Sequence, residues 1–241
     1  CIRDSCPYGP RSFEVVYEFT LQAVSKLFEL GCPLVILACN TASAKALRTI
    51  QQINLPVIDA TRRVLGVIRP TAECIGEITR SRHVGILATA GTIKSESYLL
   101  EIHKLSPDIV VTGEACPMWV SLVENNEYQS EGADYFVKQH INRLLDKDPM
   151  IDTIILGCTH YPLLLDKIRQ FTPGHIRIIA QGEYVARSLQ DYLNRHPEMD
   201  ARCEKGGKCR FLTTESENKF EESASIFLGR QDIKVESIAL E

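Results

Sequence analysis

Two cysteines follow short apolar runs that have the composition of buried strands. Residues 34 to 44 read LVILACNTASA, and residues 153 to 162 read TIILGCTHYP. Each apolar run ends at a cysteine, Cys39 or Cys158, and hydrogen-bonding residues follow. Such runs are typical of buried parallel strands, and open α/β sheets carry their chemistry at the carboxyl ends of these strands. Both thiols are therefore candidate reactive groups.

Three familiar kinds of cysteine chemistry explain the pair only in part. A thioredoxin-like redox site would normally be a single CxxC turn, which the sequence lacks. A metal site could join both cysteines to His160, but the pattern offers no fourth ligand. A hydrolase could pair Cys158 with His160 as nucleophile and base, which gives Cys39 no part.

Acid–base chemistry at the two faces of one carbon atom would use both thiols. One thiolate removes the proton from a stereogenic carbon, and the opposite thiol supplies a proton to the other face. The two groups have then exchanged states, so the reverse reaction runs equally well. A cysteine pKa of about 8.5 keeps both forms accessible near cellular pH. This hypothesis accounts for more of the residues than the other three.

The composition is that of an ordinary globular protein. Hydrophobic residues make up 44% of the chain and charged residues 24%, and the net charge of −4 gives no general reason to expect a nucleic-acid partner. No apolar stretch approaches the roughly 20 residues that span a bilayer. Nine cysteines scattered along 241 residues indicate reduced thiols, not a disulfide framework. We expect a cytoplasmic protein that binds neither nucleic acid nor a membrane.

Strand and helix patterns alternate along most of the chain, which predicts an α/β fold with mainly parallel sheets flanked by helices. The predicted strands lie at 34–38, 55–58, 64–68, 83–88, 109–112, 151–156, 176–180, 210–213 and 233–239. The repeated strand-to-cysteine unit predicts two pseudo-symmetric lobes with the active site in the cleft between them. The first lobe is expected at residues 1–93 and the second at 94–209, and residues 210–241 could return to the first.

At these motifs the sequence resembles the glutamate racemases, within the aspartate/glutamate racemase superfamily. ACNTA at residues 38–42 and GCTHYP at residues 157–162 are similar to that family's two catalytic-cysteine motifs. PYG at residues 7–9 is similar to its substrate loop in the first lobe. The order and wide spacing also agree, and the resemblance extends over essentially the whole chain.

The resemblance implies a cofactor-independent enzyme, without a metal, that interconverts L- and D-glutamate and supplies the D-isomer for peptidoglycan synthesis. Carried over by motif, Cys39 and Cys158 are the two acid/base residues, and His160 assists Cys158. The residues implied to hold the substrate are Tyr8, Gly9, Asn40, Thr41, Thr159 and His160. Thr89 and Thr92 lie where the family places further substrate-contacting hydroxyls, although turn and helix-cap roles would also explain them. A homodimer is expected by analogy.

The chain departs from the family in two places. Family members begin with a strand that runs into an Asp-Ser-Gly motif lining the pocket, whereas residues 4–6 read DSC and no strand pattern precedes them. If the molecule begins at Cys1, we expect poor activity, to be tested against a version with an upstream segment restored. The second departure is IIAQGE at residues 178–183, because the family tends to have a small or acidic polar residue where Ala180 stands.

Two other functions remain open. One is a racemase or isomerase of the same superfamily that acts on aspartate, a hydantoin or maleate, although the two motifs together favour glutamate. The other is a truncated, non-catalytic homologue that binds an acidic metabolite or a protein partner. Exchange of the substrate α-proton with deuterated water would separate a catalyst from a binding protein.

Overall fold

The computed structural model describes residues 8–231 and 233–240, without the side chain of Lys219. Residues 4–6 (DSC) and Pro7 of the PYG motif lie outside the described part. The strands are β1 (Leu34–Leu37), β2 (Arg63–Gly66), β3 (His83–Ala88), β4 (Val110–Ala115), β5 (Thr153–Gly157), β6 (Arg177–Ala180), β7 (Phe211–Thr213) and β8 (Val235–Ser237).

The strands alternate with helices, and all the strand pairs formed by the described residues are parallel. The predicted α/β class is thus confirmed. The helices are α1 (Phe13–Glu29), α2 (Asn40–Lys45), α3 (Leu47–Thr49), α4 (Leu55–Asp59), α5 (Ile68–Ile78), α6 (Ala90–Lys94), α7 (Ser97–Leu105), α8 (Pro117–Glu124), α9 (Glu131–Lys147), α10 (Leu165–Phe171), α11 (Gly182–Arg195), α12 (Pro197–Asp200) and α13 (Glu217–Leu228).

The larger sheet has four strands in the order β4-β3-β5-β6. Every residue of β5 is buried, as expected for a strand covered by helices on both faces. One face packs against α8, α9 and α10, with Trp119 and Ile141 in its core. The other face packs against α5 and α7, with Ile75 and Ile102 in its core. Because the strands are parallel, the carboxyl ends of β3 and β5 open at the same edge.

A second sheet pairs β1 with β2, with Val35 opposite Val64, and β7 pairs with β8 in a third. Helix α1 covers the second sheet through Val24 and Phe28, which are buried in the same apolar cluster. Ser12 caps α1 by accepting a hydrogen bond from the N–H of Val15. This arrangement brings the end of β1, and with it the first cysteine motif, to the start of α2.

The strand predicted at 55–58 is wrong, because α4 occupies these residues. A wide π-helical turn, Ile50–Asn54, runs directly into α4 and contains an N–H to carbonyl bond from Leu55 to Ile50. Pro56, the second residue of α4, has no N–H group and its ring would crowd the preceding turn. The wide turn accommodates the proline, and so the helix continues where a short apolar run had indicated a strand.

The order of the strands does not fit the lobe boundary predicted at residue 93. β3 is hydrogen-bonded between β4 and β5, so a boundary there would remove it from its own sheet. We propose a boundary near residue 67, between β2 and α5. The guanidinium of Arg202 donates to the carbonyl oxygen of Thr61 at 2.6 Å, so a residue assigned to the second lobe contacts the first. The return of residues 210–241 to the first lobe stays a prediction. Among the described residues, every helix is too short or too polar to cross a membrane.

Candidate active site

Cys39 lies between β1 and α2, at the N-cap position of this helix. Its backbone is extended, and its carbonyl oxygen accepts a hydrogen bond of 2.9 Å from the N–H of Ser43. The cysteine itself is half-buried, whereas Asn40 and Thr41, the first two residues of α2, are each only 2% exposed. Two polar side chains are therefore turned into the protein immediately after the first candidate thiol.

Thr41 forms a cluster of hydroxyl groups with Thr89 and Thr92 at the end of β3. The three hydroxyl oxygens lie 2.9 Å (Thr41–Thr89), 3.2 Å (Thr41–Thr92) and 3.1 Å (Thr89–Thr92) apart. A hydroxyl has one hydrogen and two lone pairs, so a ring of three such bonds leaves one lone pair on each oxygen, and those on Thr41 and Thr92 can accept from a ligand. Thr89 also accepts from the N–H of Thr92 as the cap of α6, so the helix-cap role considered from the sequence is present.

The loop that carries Tyr8 and Gly9 packs directly against this hydroxyl cluster. The N–H of Gly91 in α6 donates to the carbonyl oxygen of Gly9 at 3.1 Å. A Cβ atom at Gly91 would lie 2.6 Å from that oxygen, so a side chain there would force the loop away. Tyr8 and Gly9 are both half-buried. The fold thus brings the predicted loop residues next to the predicted threonines.

Cys158 follows β5 and is buried, and its sulfur lies 3.8 Å from Nδ1 of His160. The other ring nitrogen, Nε2, is hydrogen-bonded to the carboxylate of Glu124. Because an ionised carboxylate only accepts, Nε2 must carry a hydrogen. In the neutral ring Nδ1 is then the acceptor that faces the thiol, and in the charged ring it becomes a donor to the thiolate. Thr159, between the two residues, is exposed.

Glu124 was missed from the sequence because it is 36 residues away from His160 along the chain. One signal could have identified it. Glu124 is the last residue of α8, where the helix dipole disfavours a negative charge. An acidic residue at that position is better explained by a partner, which here is an imidazole.

The ring of Phe227 in α13 also contacts His160. The two ring centroids are 5.7 Å apart, and the planes meet at 89°, which is an edge-to-face arrangement. The imidazole is thus held by a carboxylate at one nitrogen and by an aromatic ring beside it.

Tyr98 lies between the two cysteine motifs. Its hydroxyl donates to Oδ1 of Asn40, the neighbour of Cys39, at 2.7 Å. At the other motif, a Cβ atom on Gly157 would lie 3.2 Å from Cε2 of Tyr98, so glycine permits this close approach before Cys158. Burial raises the pKa of Tyr98 far above its usual value, with a smaller contribution from the nearby charge of Cys158, so the phenol stays a hydrogen-bond donor.

The residues predicted from the two motifs therefore fall into two connected groups. Tyr98 contacts one residue from each motif, and the hydroxyl cluster joins α2 to the end of β3. Within the described part of the chain, no group of three or more His, Cys, Asp and Glu side chains is arranged to hold a metal ion.

Comparison with known proteins places this chain among the amino-acid racemases, a class of isomerase. The chain belongs to the Asp/Glu/hydantoin racemase family, whose sequence profile matches residues 13–189. A glutamate racemase from Listeria monocytogenes is 38% identical over 236 residues, covering 98% of this chain and 85% of that protein.

Two solved structures are similar over almost the whole chain. Glutamate racemase isoform RacE1 from Bacillus anthracis has a TM-score of 0.89 at 36% identity, covering 99% of this chain and 86% of that one. Glutamate racemase from Francisella tularensis, solved in complex with D-glutamate, has a TM-score of 0.86 at 27% identity, covering 100% of this chain and 87% of that one.

Proposed function

We propose that this racemase interconverts L- and D-glutamate by acid–base chemistry at two thiols. The contact of both cysteine motifs with the single residue Tyr98 is the observation that carries this proposal. The named substrate of the relatives from Listeria monocytogenes and Bacillus anthracis supports glutamate over aspartate and hydantoins. The Francisella tularensis relative, solved with D-glutamate, supports it further.

In the proposed reaction Cys39 and Cys158 act on opposite faces of the α-carbon. The thiolate on one side takes the α-proton and becomes a thiol, while the electron pair of the broken C–H bond stays on the substrate. The thiol on the other side then gives its proton to that carbon and becomes a thiolate. Atoms and charge balance within the pair, and the exchanged states are those from which the reverse reaction starts. Proton exchange with solvent restores the original states for another forward turnover.

His160 prepares Cys158 for both of its states. When Cys158 is a thiol, Nδ1 can take its proton and leave a thiolate beside an imidazolium. The carboxylate of Glu124 stabilises that imidazolium and fixes the ring orientation. His160 is therefore a positioning and proton-accepting partner, and Glu124 acts through it.

Neutral groups would hold the substrate on the first-lobe side. In the cluster formed by Thr41, Thr89 and Thr92, the lone pairs that remain on Thr41 and Thr92 are suited to accept from the substrate ammonium group, because the N–H of Thr92 occupies the remaining one on Thr89. The donors proposed for the carboxylates come from the predicted set of Tyr8, Gly9, Asn40, Thr159 and His160. The first-lobe groups of this set are neutral, so they add no fixed charge beside the reacting carbon.

The cellular role we propose is the supply of D-glutamate for peptidoglycan, and hence for the bacterial cell wall and cell shape. A cytoplasmic location is proposed because the seven cysteines of the described residues are reduced, and a reducing compartment preserves thiols. A homodimer remains a prediction by family analogy.

The test is a circular dichroism assay of the purified protein with each enantiomer of glutamate and of aspartate, accompanied by α-proton exchange in deuterated water. We expect both glutamate enantiomers to reach the same racemic end point and to exchange their α-proton. Turnover of aspartate but not glutamate would overturn the assigned substrate. Binding of glutamate by folded protein without any exchange would overturn the assigned reaction.

A further inference from the structure

We propose that Gln181 is a positioning residue that holds Asn40, and thereby the turn bearing Cys39, in place against the second lobe. The inference rests on the proposed two-thiol reaction. It concerns the residue that follows Ala180, inside the segment where the sequence departs from the family pattern.

The side-chain amide of Gln181 is the centre of a hydrogen-bond network. Its oxygen accepts a bond of 2.7 Å from Nδ2 of Asn40. Three acceptors share the two hydrogens of its nitrogen: the hydroxyl of Thr71 at 3.0 Å, the carbonyl of Val67 at 3.2 Å and the hydroxyl of Tyr98. One amide therefore joins α2 of the first lobe to three positions at or near α5 and α7.

The network fixes the orientation of the Asn40 amide. Tyr98 donates to its oxygen and Gln181 accepts from its nitrogen, so Asn40, Tyr98 and Gln181 form a closed triangle of hydrogen bonds. Flipping the Asn40 amide would place an oxygen against an oxygen at Gln181. Only one orientation of this side chain is compatible with both partners.

Burial makes the network stiff. Asn40 is 2% exposed, Tyr98 3% and Gln181 8%. Polar groups this deeply buried are costly to leave without partners, and water has little access to replace them. Asn40 cannot move without breaking bonds to both of its neighbours.

The position of Asn40 determines that of Cys39. The two residues are adjacent, and Cys39 is the N-cap of the helix that Asn40 begins. Gln181 directly follows β6, in the sheet whose strand β5 leads to Cys158. The amide of Gln181 thus fixes the first thiol relative to the strand end that presents the second. In catalysis a misplacement of about 1 Å can cost about 10²-fold in rate.

The experiment compares Gln181→Met with the wild-type protein. Methionine has a similar size and no hydrogen-bonding amide, so Asn40 and Tyr98 each lose a partner. The control is Thr71→Val, which removes an acceptor from the same Gln181 amide without contacting Asn40. We expect kcat/KM to fall about 10²-fold in Gln181→Met and to stay close to wild type in Thr71→Val.

Deuterium isotope effects distinguish positioning from a general loss of folded structure. The effect on kcat/KM is measured with α-deuterated L-glutamate and α-deuterated D-glutamate. In Gln181→Met it should rise for the enantiomer that Cys39 deprotonates and fall for the other, because only the step at Cys39 has become slower. Cys39→Ser slows the same step and identifies that enantiomer.

Three outcomes decide against the inference. Wild-type rates in Gln181→Met overturn it. So does an equal loss of kcat/KM for both enantiomers with both isotope effects unchanged, which would indicate only destabilisation. If Gln181→Met does not fold, Gln181→Asn, one methylene too short to keep all the contacts, carries the same expectation. If the wild-type protein fails to racemise glutamate, the proposed function fails first, and this inference fails with it.

Discussion

The two cysteine motifs share a strand-to-turn design but differ in what surrounds them. The residues that follow Cys39 are buried and neutral, and they bond to amide and hydroxyl groups of the other lobe. Cys158 is followed by an imidazole that a carboxylate orients. On the proposed mechanism, the surroundings of Cys39 position a thiol and a substrate, whereas those of Cys158 also exchange a proton with the thiol. Equal roles in a reversible reaction therefore do not require equal environments.

Removal of either thiol should have the largest effect. We expect Cys39→Ala and Cys158→Ala each to lower racemisation by at least about 10³-fold, because each face of the α-carbon needs its own proton donor and acceptor. Cys74→Ala, a half-buried thiol in α5, is the matched control and should stay near wild type. Circular dichroism with both enantiomers measures the rates. Full racemisation by either single variant would contradict the two-thiol mechanism.

Loss of the charge beside His160 should have the next largest effect on the rate, because it impairs proton transfer at Cys158 but not at Cys39. Glu124→Gln keeps a group that can accept from Nε2 but no longer stabilises an imidazolium, so we expect kcat to fall about 10²-fold. Glu127→Gln, an exposed change just beyond the same helix, is the control. Steady-state kinetics in both directions give the measurement. If both variants match the wild type, the imidazole–carboxylate pair does not distinguish the two sites.

Two substitutions in the hydroxyl cluster distinguish a role in substrate binding from a role in folding. Thr89→Val and Thr92→Val both remove a member of the cluster, and both should raise KM for glutamate. Only Thr89 caps α6, so Thr89→Val should cost about 1 kcal/mol more in the free energy of unfolding. Urea denaturation measures that difference. Equal KM values in wild type and both variants would show that the cluster has a structural role and does not bind the substrate.

A substitution at the opposite end of the second-lobe sheet, before β5, should change the stability of the protein and leave catalysis unchanged. Asp152 accepts hydrogen bonds from the backbone N–H groups of Arg80 and Ser81 and from the hydroxyl of Thr79, each at 2.7 Å. Burial alone would raise the pKa of this carboxyl, but these bonds outweigh it and hold the pKa well below its usual range.

The sign of the resulting pH dependence is fixed. Because the pKa of Asp152 is lower in the folded than in the unfolded protein, its contribution to stability is present above a pH of about 4 and is lost as the pH falls towards the folded-state pKa. We expect Asp152→Asn to cost about 1–3 kcal/mol at neutral pH and to weaken the acid dependence of unfolding, with kcat almost unchanged. Asp166→Asn, an exposed carboxylate in α10, is the control, and equal unfolding curves for the two variants would contradict the prediction.

Local pattern was enough to predict the fold class and the strands before both cysteines. The apolar runs that became β1 and β5 are short, bounded and followed by polar residues, which is local information. The lobe boundary was not readable in the same way, because hydrogen bonding of β3 between β4 and β5 depends on strands that come later in the chain. Periodicity identifies strands but not their order.

Partners distant in sequence were the main omission at the site. Nothing near His160 points to Glu124, and nothing near Asn40 points to Gln181, which is 141 residues further along the chain. The strand wrongly assigned at 55–58 has a different origin, since its short apolar run fits either a strand or a helical turn, and in α4 Leu55 alone is buried.

The edge-to-face contact of Phe227 with His160 makes the C-terminal helix a reporter of the second cysteine site. The ring current of a phenylalanine shifts the resonances of protons held beside it. In a proton NMR titration, the imidazole signals of His160 would therefore record both its ionisation and any displacement of α13, and Phe227→Leu would separate the two contributions.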